Sequence, residues 1–420
     1  MQVPRPARGM RDILPGEVDR RGVLLDAIRR TYRAHGFFEI ETPIVETIEA
    51  LYSAGAGENE KLMFKLLKRG EKLEAAQDEL ADLALRYDLT VPLARFYAIN
   101  QSKLPRPFYA MQLGPVFRAE RPQKGRYRQF VQADLDILGE ESVLAEIQLL
   151  IAITSALHTV GLEGFEIRVN DRRALEAILD GFLVPNGARS ATLVALDKLD
   201  KDGPSSVIAE IERAGVDPSR ARDLVYALGS LRESGDVSAT EELGVPKKVI
   251  EWVETLRLHV SRSVRDVAVN FDPLIVRGIG YYTSTVYELT HPKWPGSIGG
   301  GGRYDNLLGR FGIEAPACGV SLGFERVAGL LEETENLTGQ GERRLNIIFD
   351  PESQLAEALS LARRSRREGF CVTLVPHVAG SRSPMKRIAL SAEELKAEGS
   401  RDSFWHITVG SQQEPTLLIQ

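Results

Sequence analysis

Cysteine is scarce in this 420-residue chain: only Cys318 and Cys371 occur, far apart and each among apolar residues. That excludes a disulfide framework and a zinc-ligand spacing, and it suits a reducing cytosol. The six histidines are scattered without an H-x-x-x-H pair, so no metal held by protein His or Cys is expected. No uninterrupted apolar run approaches the ~20 residues that cross a bilayer. The opening "MQVPRPARGMRDILP" carries charges without the apolar core of a signal peptide. Together these absences predict a cytoplasmic protein with no membrane segment. Positive charge is not in excess either: 53 Lys and Arg against 59 Asp and Glu leave a net charge of -6. Nucleic-acid binding through overall charge is thereby excluded, but a local basic groove is not, because phosphate binding depends on where the charges sit.

What is present describes a globular chain, 43% hydrophobic and 27% charged, long enough for two or three domains. Residues 17–34 have Leu25, Ile28 and Tyr32 on one helical stripe, and "FFEIETPIVE" is a strand broken at Pro43, which cannot donate to a ladder. The charged stretch 60–82 reads as a helical excursion, 90–100 and 141–160 as helices. From 173 to 262 the text is charged and helical, and strand and glycine signals resume at "VAVNFDPLIVRGIGYYTSTVYEL". A polar linker, "EETENLTGQGERR", precedes a β/α pattern of strands "LNIIF", "FCVTLV" and "FWHITV" with helices at 353–367 and 385–397. The expected fold class is α+β: an antiparallel sheet flanked by helices, split into 1–172 and 263–332 by a helical insertion at 173–262. A small α/β domain at 343–420 follows.

The richest stretch is "FRAERPQKGRYRQFVQADLDILG", 117–139. With "RPFYAMQLGPVF" before it, this is a long hairpin whose loop concentrates Arg118, Arg121, Lys124, Arg126 and Arg128. In its second strand the period of two sends Gln132, Asp134 and Asp136 to one face, and Val131, Ala133, Leu135 and Ile137 to the other. An amphipathic strand with its polar side in water is the plain explanation. The position argues for more, because the acceptors begin where the basic loop ends. Arginine forks match phosphate oxygens, and carboxylates two residues apart can hold a cationic or hydrogen-bonding ligand. A polyphosphate site beside a pocket for an amine-bearing ligand fits both.

Three further patterns are weaker alone. In "VRGIGYYTSTVYE", Arg277 stands at the end of an apolar run before close glycines and the Tyr281–Tyr282 pair. "SIGGGGRYD" lacks the Gly-Lys-Ser/Thr ending of a P-loop; its glycines instead permit close approach of a ligand or another backbone. "GVSLGFERV" is a strand entering a helix, with Gly323 and Arg326 at the junction.

In this order the segments resemble the class II aminoacyl-tRNA synthetases, and within them the histidyl-tRNA synthetase family. "FFEIETPIVE" looks like motif 1, "FRAERPQKGRYRQF" like motif 2 and "GVSLGFERV" like motif 3, while "LRYDLT", "VQADLDILG", "VRGIGYYTSTVYE" and "GGGRYD" match the histidine-specific elements. The resemblance covers most of residues 7–332 and, more loosely, the C-terminal domain. It implies activation of histidine by ATP with Mg²⁺, and transfer to tRNA(His). It also implies a homodimer formed through the 36–46 region. It places Arg118, Glu120, Arg277 and Arg326 on ATP, with Arg118 and Arg277 in the catalytic role at the α-phosphate. Asp88, Thr90, Gln132, Asp136, Tyr281 and Tyr282 fall on histidine, and Arg121 and Gln123 on the tRNA acceptor end.

The chain departs from the family pattern in places. "RGIGYY" has Gly280 where the family has an aspartate, 64–82 reads as more helical than the family's short hairpin, and the C-terminal domain lacks the usual final helix. A synthetase-like paralogue that does not charge tRNA, such as the histidine-sensing regulatory subunit of ATP phosphoribosyltransferase, is therefore the alternative. Such subunits lose the ATP-binding arginines, and here Arg118, Arg277 and Arg326 are all present.

Overall fold

A computed structural model of the chain describes residues 3–52, 59–70, 80–122, 126–276, 282–333, 344–376, 403–408 and 416–419. The chain divides into two compact units, one of Met1–Asp12 with Leu24–Asn336 and one of Ile13–Val23 with Leu337–Gln420.

The first unit begins with most of helix α1 (Pro15–Ala34), whose Leu24, Ala27, Ile28 and Tyr32 are buried at the three-and-four spacing of one helical face. Strands β1 (Phe38–Glu39) and β2 (Val45–Thr47) flank Pro43, and the short helix α2 (Ile48–Tyr52) follows. The break at Pro43 thus separates two sheets: β1 pairs parallel with β5 (Phe108–Phe117), while β2 joins β3 (Phe64–Leu67) and β4 (Ala81–Leu85) in a three-stranded sheet.

This small sheet corrects the expectation of a helix over 60–82. Phe64 pairs with Leu85 and Lys65 with Ala84 in an antiparallel ladder. The lysine- and leucine-rich composition favours helix locally, but cross-strand pairing against β4 overrides that weak preference. The expected hairpin form of the family is therefore present at 64–67 and 81–85, and 71–79 lies outside the described residues.

After helix α3 (Thr90–Asn100), strands β5 and β6 (Gln129–Leu138) form the expected long hairpin, in register from Phe108↔Leu138 to Phe117↔Gln129. Helix α4 (Leu144–Thr159) and strand β7 (Glu166–Asp171) follow. The chain then runs through helices α5 (Arg172–Gly181), α6 (Asn186–Leu196), α7 (Leu199–Asp202), α8 (Pro204–Arg213), α9 (Pro218–Ser234) and α10 (Lys247–Ser263). It re-enters the sheet as β8 (Ala268–Phe271), parallel to β7. Strands β9 (Thr285–His291) and β10 (Trp294–Arg303), helix α11 (Asp305–Gly309), β11 (Ala317–Gly323) and α12 (Phe324–Glu333) complete the unit.

The main sheet has eight strands in the order β1-β5-β6-β11-β10-β9-β7-β8, antiparallel at every pairing except the two edges. Strand β6 lies inside it, and α4 and α12 pack on it. Its apolar row, Ala133, Leu135 and Ile137, is fully buried. Its polar row is not in water either, since Gln132, Asp134 and Asp136 are only 7%, 2% and 2% exposed. The plain explanation of a solvated polar side therefore fails. Among the described residues, no helix is long and apolar enough to cross a membrane.

In the second unit, β12 (Arg344–Phe349) pairs parallel with β13 (Cys371–Pro376) and β14 (Ser403–Thr408), and β15 (Thr416–Ile419) pairs antiparallel with β14. Helix α13 (Leu355–Arg367) buries Ala358 and Ala362 against Leu345, Ile347 and Phe349. The helix expected at 385–397 lies outside the described residues.

Candidate active site

A cleft of about 450 Å³ opens over the middle of the main sheet. The β4–α3 turn supplies Asp88 and Thr90 to its wall, the hairpin supplies Arg118, Glu120 and Gln132, and Tyr282 precedes β9. Strand β10 gives Gly299, Gly300 and Gly301, and Arg326 comes from the first turn of α12. The hairpin and the three segments read as separate signals thus meet in one place.

The basic loop sorts into different roles. Arg118 donates from Nε to Tyr87 O at 3.0 Å, and its guanidinium lies 5.1 Å from the Phe130 ring centre. A planar fork is held on the cleft wall by a hydrogen bond and an aromatic face. Glu120 pairs with Arg126, 3.0 Å apart, and both line the cleft. Arg128 is a strap: its Nε donates to Glu120 O at 2.9 Å and its backbone N to Gly9 O at 2.8 Å. Arg121 is exposed and does not line the cleft. Arg326, also on the cleft, donates from Nη1 to Ser297 O at 2.5 Å, which fixes one arm of its guanidinium.

The acceptor row of β6 is held from the β11 and β10 side. Gln132 donates from Nε2 to Ser321 Oγ at 2.6 Å, and Tyr304 donates from its hydroxyl to Asp136 Oδ1 at 2.5 Å. Gln132 Oε1 and Asp136 Oδ2 are buried without a hydrogen-bond partner, and buried Asp134 has the Ser321 hydroxyl beside it. Buried acceptors left open in this way are costly unless a ligand satisfies them. Asp136 fits only because β11 has Gly319 opposite it; a Cβ there would collide with Asp136 Oδ1. A Cβ on Gly302 would collide with the Thr285 carbonyl oxygen and stand 2.9 Å from the Tyr282 ring, so that glycine admits both a neighbouring backbone and an aromatic wall.

Burial dominates the electrostatics. It lifts Asp88 to about 6, against a hydrogen bond from Val91 N and the charges of Arg118 and Arg86. It lifts Asp136 to about 7, against the Tyr304 hydroxyl. Asp134 is raised well above the carboxylate range by burial and by Asp136 beside it, with the Ser321 hydroxyl and Arg118 opposing. A ligand that brings positive charge and N–H donors beside these carboxyls would favour their ionised forms.

Of the residues expected in the site, the structure brings together Asp88, Thr90, Arg118, Glu120, Gln132, Tyr282 and Arg326 on the cleft, whereas Asp136 is buried on the same strand as Gln132 and does not line it. Arg277, Gly280, Tyr281 and Gln123 lie outside the described residues. Sequence reasoning assigned no role to Tyr304, Ser321 or Gly319, although all stand inside the quoted segments. The signal for Tyr304 was a phenol ending a glycine-rich strand, where a partner across the sheet was to be sought.

A sequence profile described as Histidyl-tRNA synthetase matches residues 9–327. The chain belongs to the histidyl-tRNA synthetase family. A Histidine--tRNA ligase of Leifsonia xyli subsp. xyli is 45% identical over 375 residues, covering 85% of this chain and 86% of the relative. A Probable histidine--tRNA ligase of Tropheryma whipplei is 39% identical over 407 residues, 93% of each chain. Among solved structures, a histidyl-tRNA synthetase from Nostoc sp. PCC 7120 superposes with a TM-score of 0.72 at 27% identity, covering 97% of this chain and 92% of that one. The fold is accordingly the class II synthetase fold, and the cleft occupies the part of the chain that the family profile spans.

Proposed function

We propose that the chain is a histidine–tRNA ligase: it joins histidine to ATP and passes the histidyl group to tRNA(His). The observation that carries this reading is the cleft itself, which Arg118 and Arg326 line together with Asp88, Gln132 and Tyr282. The homologous ligases at 45% and 39% identity support it. They weigh against the regulatory-subunit alternative, as does the retention of Arg118 and Arg326 on the cleft wall.

In this reading a carboxylate oxygen of histidine attacks the α-phosphorus of ATP. The bond to the bridging oxygen breaks, pyrophosphate leaves with that electron pair, and histidyl-adenylate remains. A ribose hydroxyl at the tRNA 3′ end then attacks the carbonyl carbon and AMP departs. Neither step needs a protein nucleophile; positioning and charge stabilisation suffice. Arg118 and Arg277 serve the α-phosphate, Arg326 the far end of the triphosphate, and Glu120 orients the nucleotide through its pair with Arg126. Asp88, Thr90 and Gln132 hold the ammonium and carboxylate groups of histidine, and Asp136, Tyr281 and Tyr282 the imidazole. A site that hydrogen-bonds both ring nitrogens rejects rings that leave its polar groups unpaired. Arg121, which does not line the cleft, and Gln123 serve the acceptor end of the tRNA.

Mg²⁺, carried with ATP, would supply charge neutralisation for the leaving pyrophosphate. Among the described residues no three His, Cys, Asp or Glu side chains cluster to cage a metal. Glu288 and Glu325 on the cleft wall match the one or two carboxylates that this ion takes beside phosphate oxygens. The division into 1–172, 173–262, 263–332 and 343–420 belongs to the same reading, with the last part contacting the anticodon arm, as does a cytoplasmic location. Homodimerisation through 36–46 is supported by Phe38, Ile44 and Val45, which are 58%, 42% and 40% exposed beside a two-residue edge strand.

The test is pyrophosphate exchange into ATP, followed by charging of a tRNA(His) transcript. Exchange dependent on histidine and then charging are expected. Absence of histidine-dependent exchange would overturn the ligase reading, and exchange without charging would leave an amino-acid-adenylating enzyme.

A further inference from the structure

The end of β7 and the start of α5 form a corner that does not line the cleft but is bonded to two parts of its wall. Asn170 is 1% exposed. Its Nδ2 donates to both Pro273 O and Ile275 O at 3.1 Å, and its Oδ1 accepts from Asp171 N at 2.8 Å. Both amide hydrogens and the carbonyl are used, so this side chain has a single satisfied orientation. Two residues on, Arg172 donates from its backbone N to Ser284 O at 3.0 Å and from Nη1 to Tyr282 O at 3.1 Å. Ile275 and Tyr282 both line the cleft.

The corner is itself rigidly built. Asp171, fully buried, caps α5 by accepting from Arg173 N at 2.8 Å and pairs with Arg173 Nη2 at 2.7 Å. Arg173 lies 5.3 Å from the ring centre of Trp252 on α10, whose Nε1 donates to Thr285 Oγ1 at 3.0 Å. The first helix of the helical stretch is thus fastened to the sheet by groups other than Asn170 and Arg172. Those two are available to hold Ile275 and Tyr282, which precede and follow residues 277–281 in the chain.

We propose that Asn170 and Arg172 are positioning residues of the histidine pocket, holding Ile275 and Tyr282 in place from the N-terminus of α5. The proposal rests on the ligase reading for the identity of the ligand. Tyr282 approaches the amino acid, whereas Arg118 and Arg326 serve the nucleotide, so loss of the Arg172 bond falls on histidine and spares ATP. Removing one charge-assisted hydrogen bond corresponds to about a tenfold effect.

The experiment compares the full chain with Arg172→Ala and Arg172→Lys, in pyrophosphate exchange and in hydrogen exchange of residues 282–286. For Arg172→Ala the histidine KM is expected to rise about tenfold, with the ATP KM and kcat held within about twofold. Arg172→Lys, which keeps a cationic donor, recovers most of that loss. The 282–286 amides exchange faster in Arg172→Ala. Equal rises in both KM values, or an unchanged histidine KM with unchanged amide exchange, would overturn the proposal. If the unmodified chain shows no histidine-dependent exchange, the ligase reading has failed. The amide-exchange comparison then still decides whether Arg172 holds the Tyr282 segment.

Discussion

Tyr304 donates its phenolic proton to Asp136 Oδ1 at 2.5 Å, and the pair is buried where Gly319 leaves room for the carboxylate. The bond favours the ionised form of Asp136, which burial alone would push further up. Tyr304→Phe removes the donor and keeps the ring. The pKa of Asp136 then rises, so the acid limb of histidine-dependent exchange moves to higher pH. Histidine binding at neutral pH weakens about tenfold, the value of one hydrogen bond to a charged group. A pH profile of exchange in wild type and variant checks both.

Asp88 and Asp136, lifted to about 6 and about 7, give stability a definite pH dependence. Both carboxyls titrate near 4 in the unfolded chain. Between that pH and their folded values the native state binds more protons than the unfolded state, so stability falls as pH rises. Their stabilising contribution is complete below about pH 4 and lost once pH passes about 7. Urea unfolding of wild type and Asp136→Asn across pH 4.5–7.5 (roughly the window these two groups set) tests this: the variant loses the upper part of the slope.

Arg303, next to Tyr304 in sequence, is 3% exposed and bound by both oxygens of fully buried Glu146 at 2.8 Å. It also donates to Glu140 O and Ser142 O at 3.0 Å. Glu146→Ala strands a buried guanidinium and is expected to cost about 3–5 kcal/mol. Chemical denaturation measures it; a change under about 1 kcal/mol would show that water replaces the carboxylate.

Arg118 is fixed by Tyr87 O and the Phe130 ring, and the proposed reaction assigns it to the charge that develops at phosphorus. Arg118→Ala is expected to slow adenylation by about a hundredfold, as for one lost transition-state contact, with unfolding unchanged. Arg277→Ala should do the same. Single-turnover formation of histidyl-adenylate reads the step directly, and wild-type rates in either variant would remove that arginine from the chemistry.

The hairpin, the strand–helix junction at Gly323 and the long helical run were legible because each is a local pattern: alternation, a glycine boundary, a three-and-four stripe. Even the alternation of Gln132, Asp134 and Asp136 assigned them one face of β6. It did not say whether that face was wet. That depended on β5 and β11 pairing on either side and on helices packing above, none of which a single strand encodes. The misreading of 60–82 has the same origin. Phe64–Leu67 is a strand because β4 lies beside it, and its composition alone favours the other answer.

The basic loop, the acceptor row beside it and their order along the chain were set by the sequence alone, because side-chain chemistry and period-two spacing are local properties. Tertiary structure decided which of the clustered arginines turn to the cleft and which, like Arg128, serve as straps. It also decided that Asp136 meets Tyr304 from a strand and a loop 168 residues apart. Such contacts are products of sheet order and close packing, and only a missing Cβ at Gly319 lets this one form.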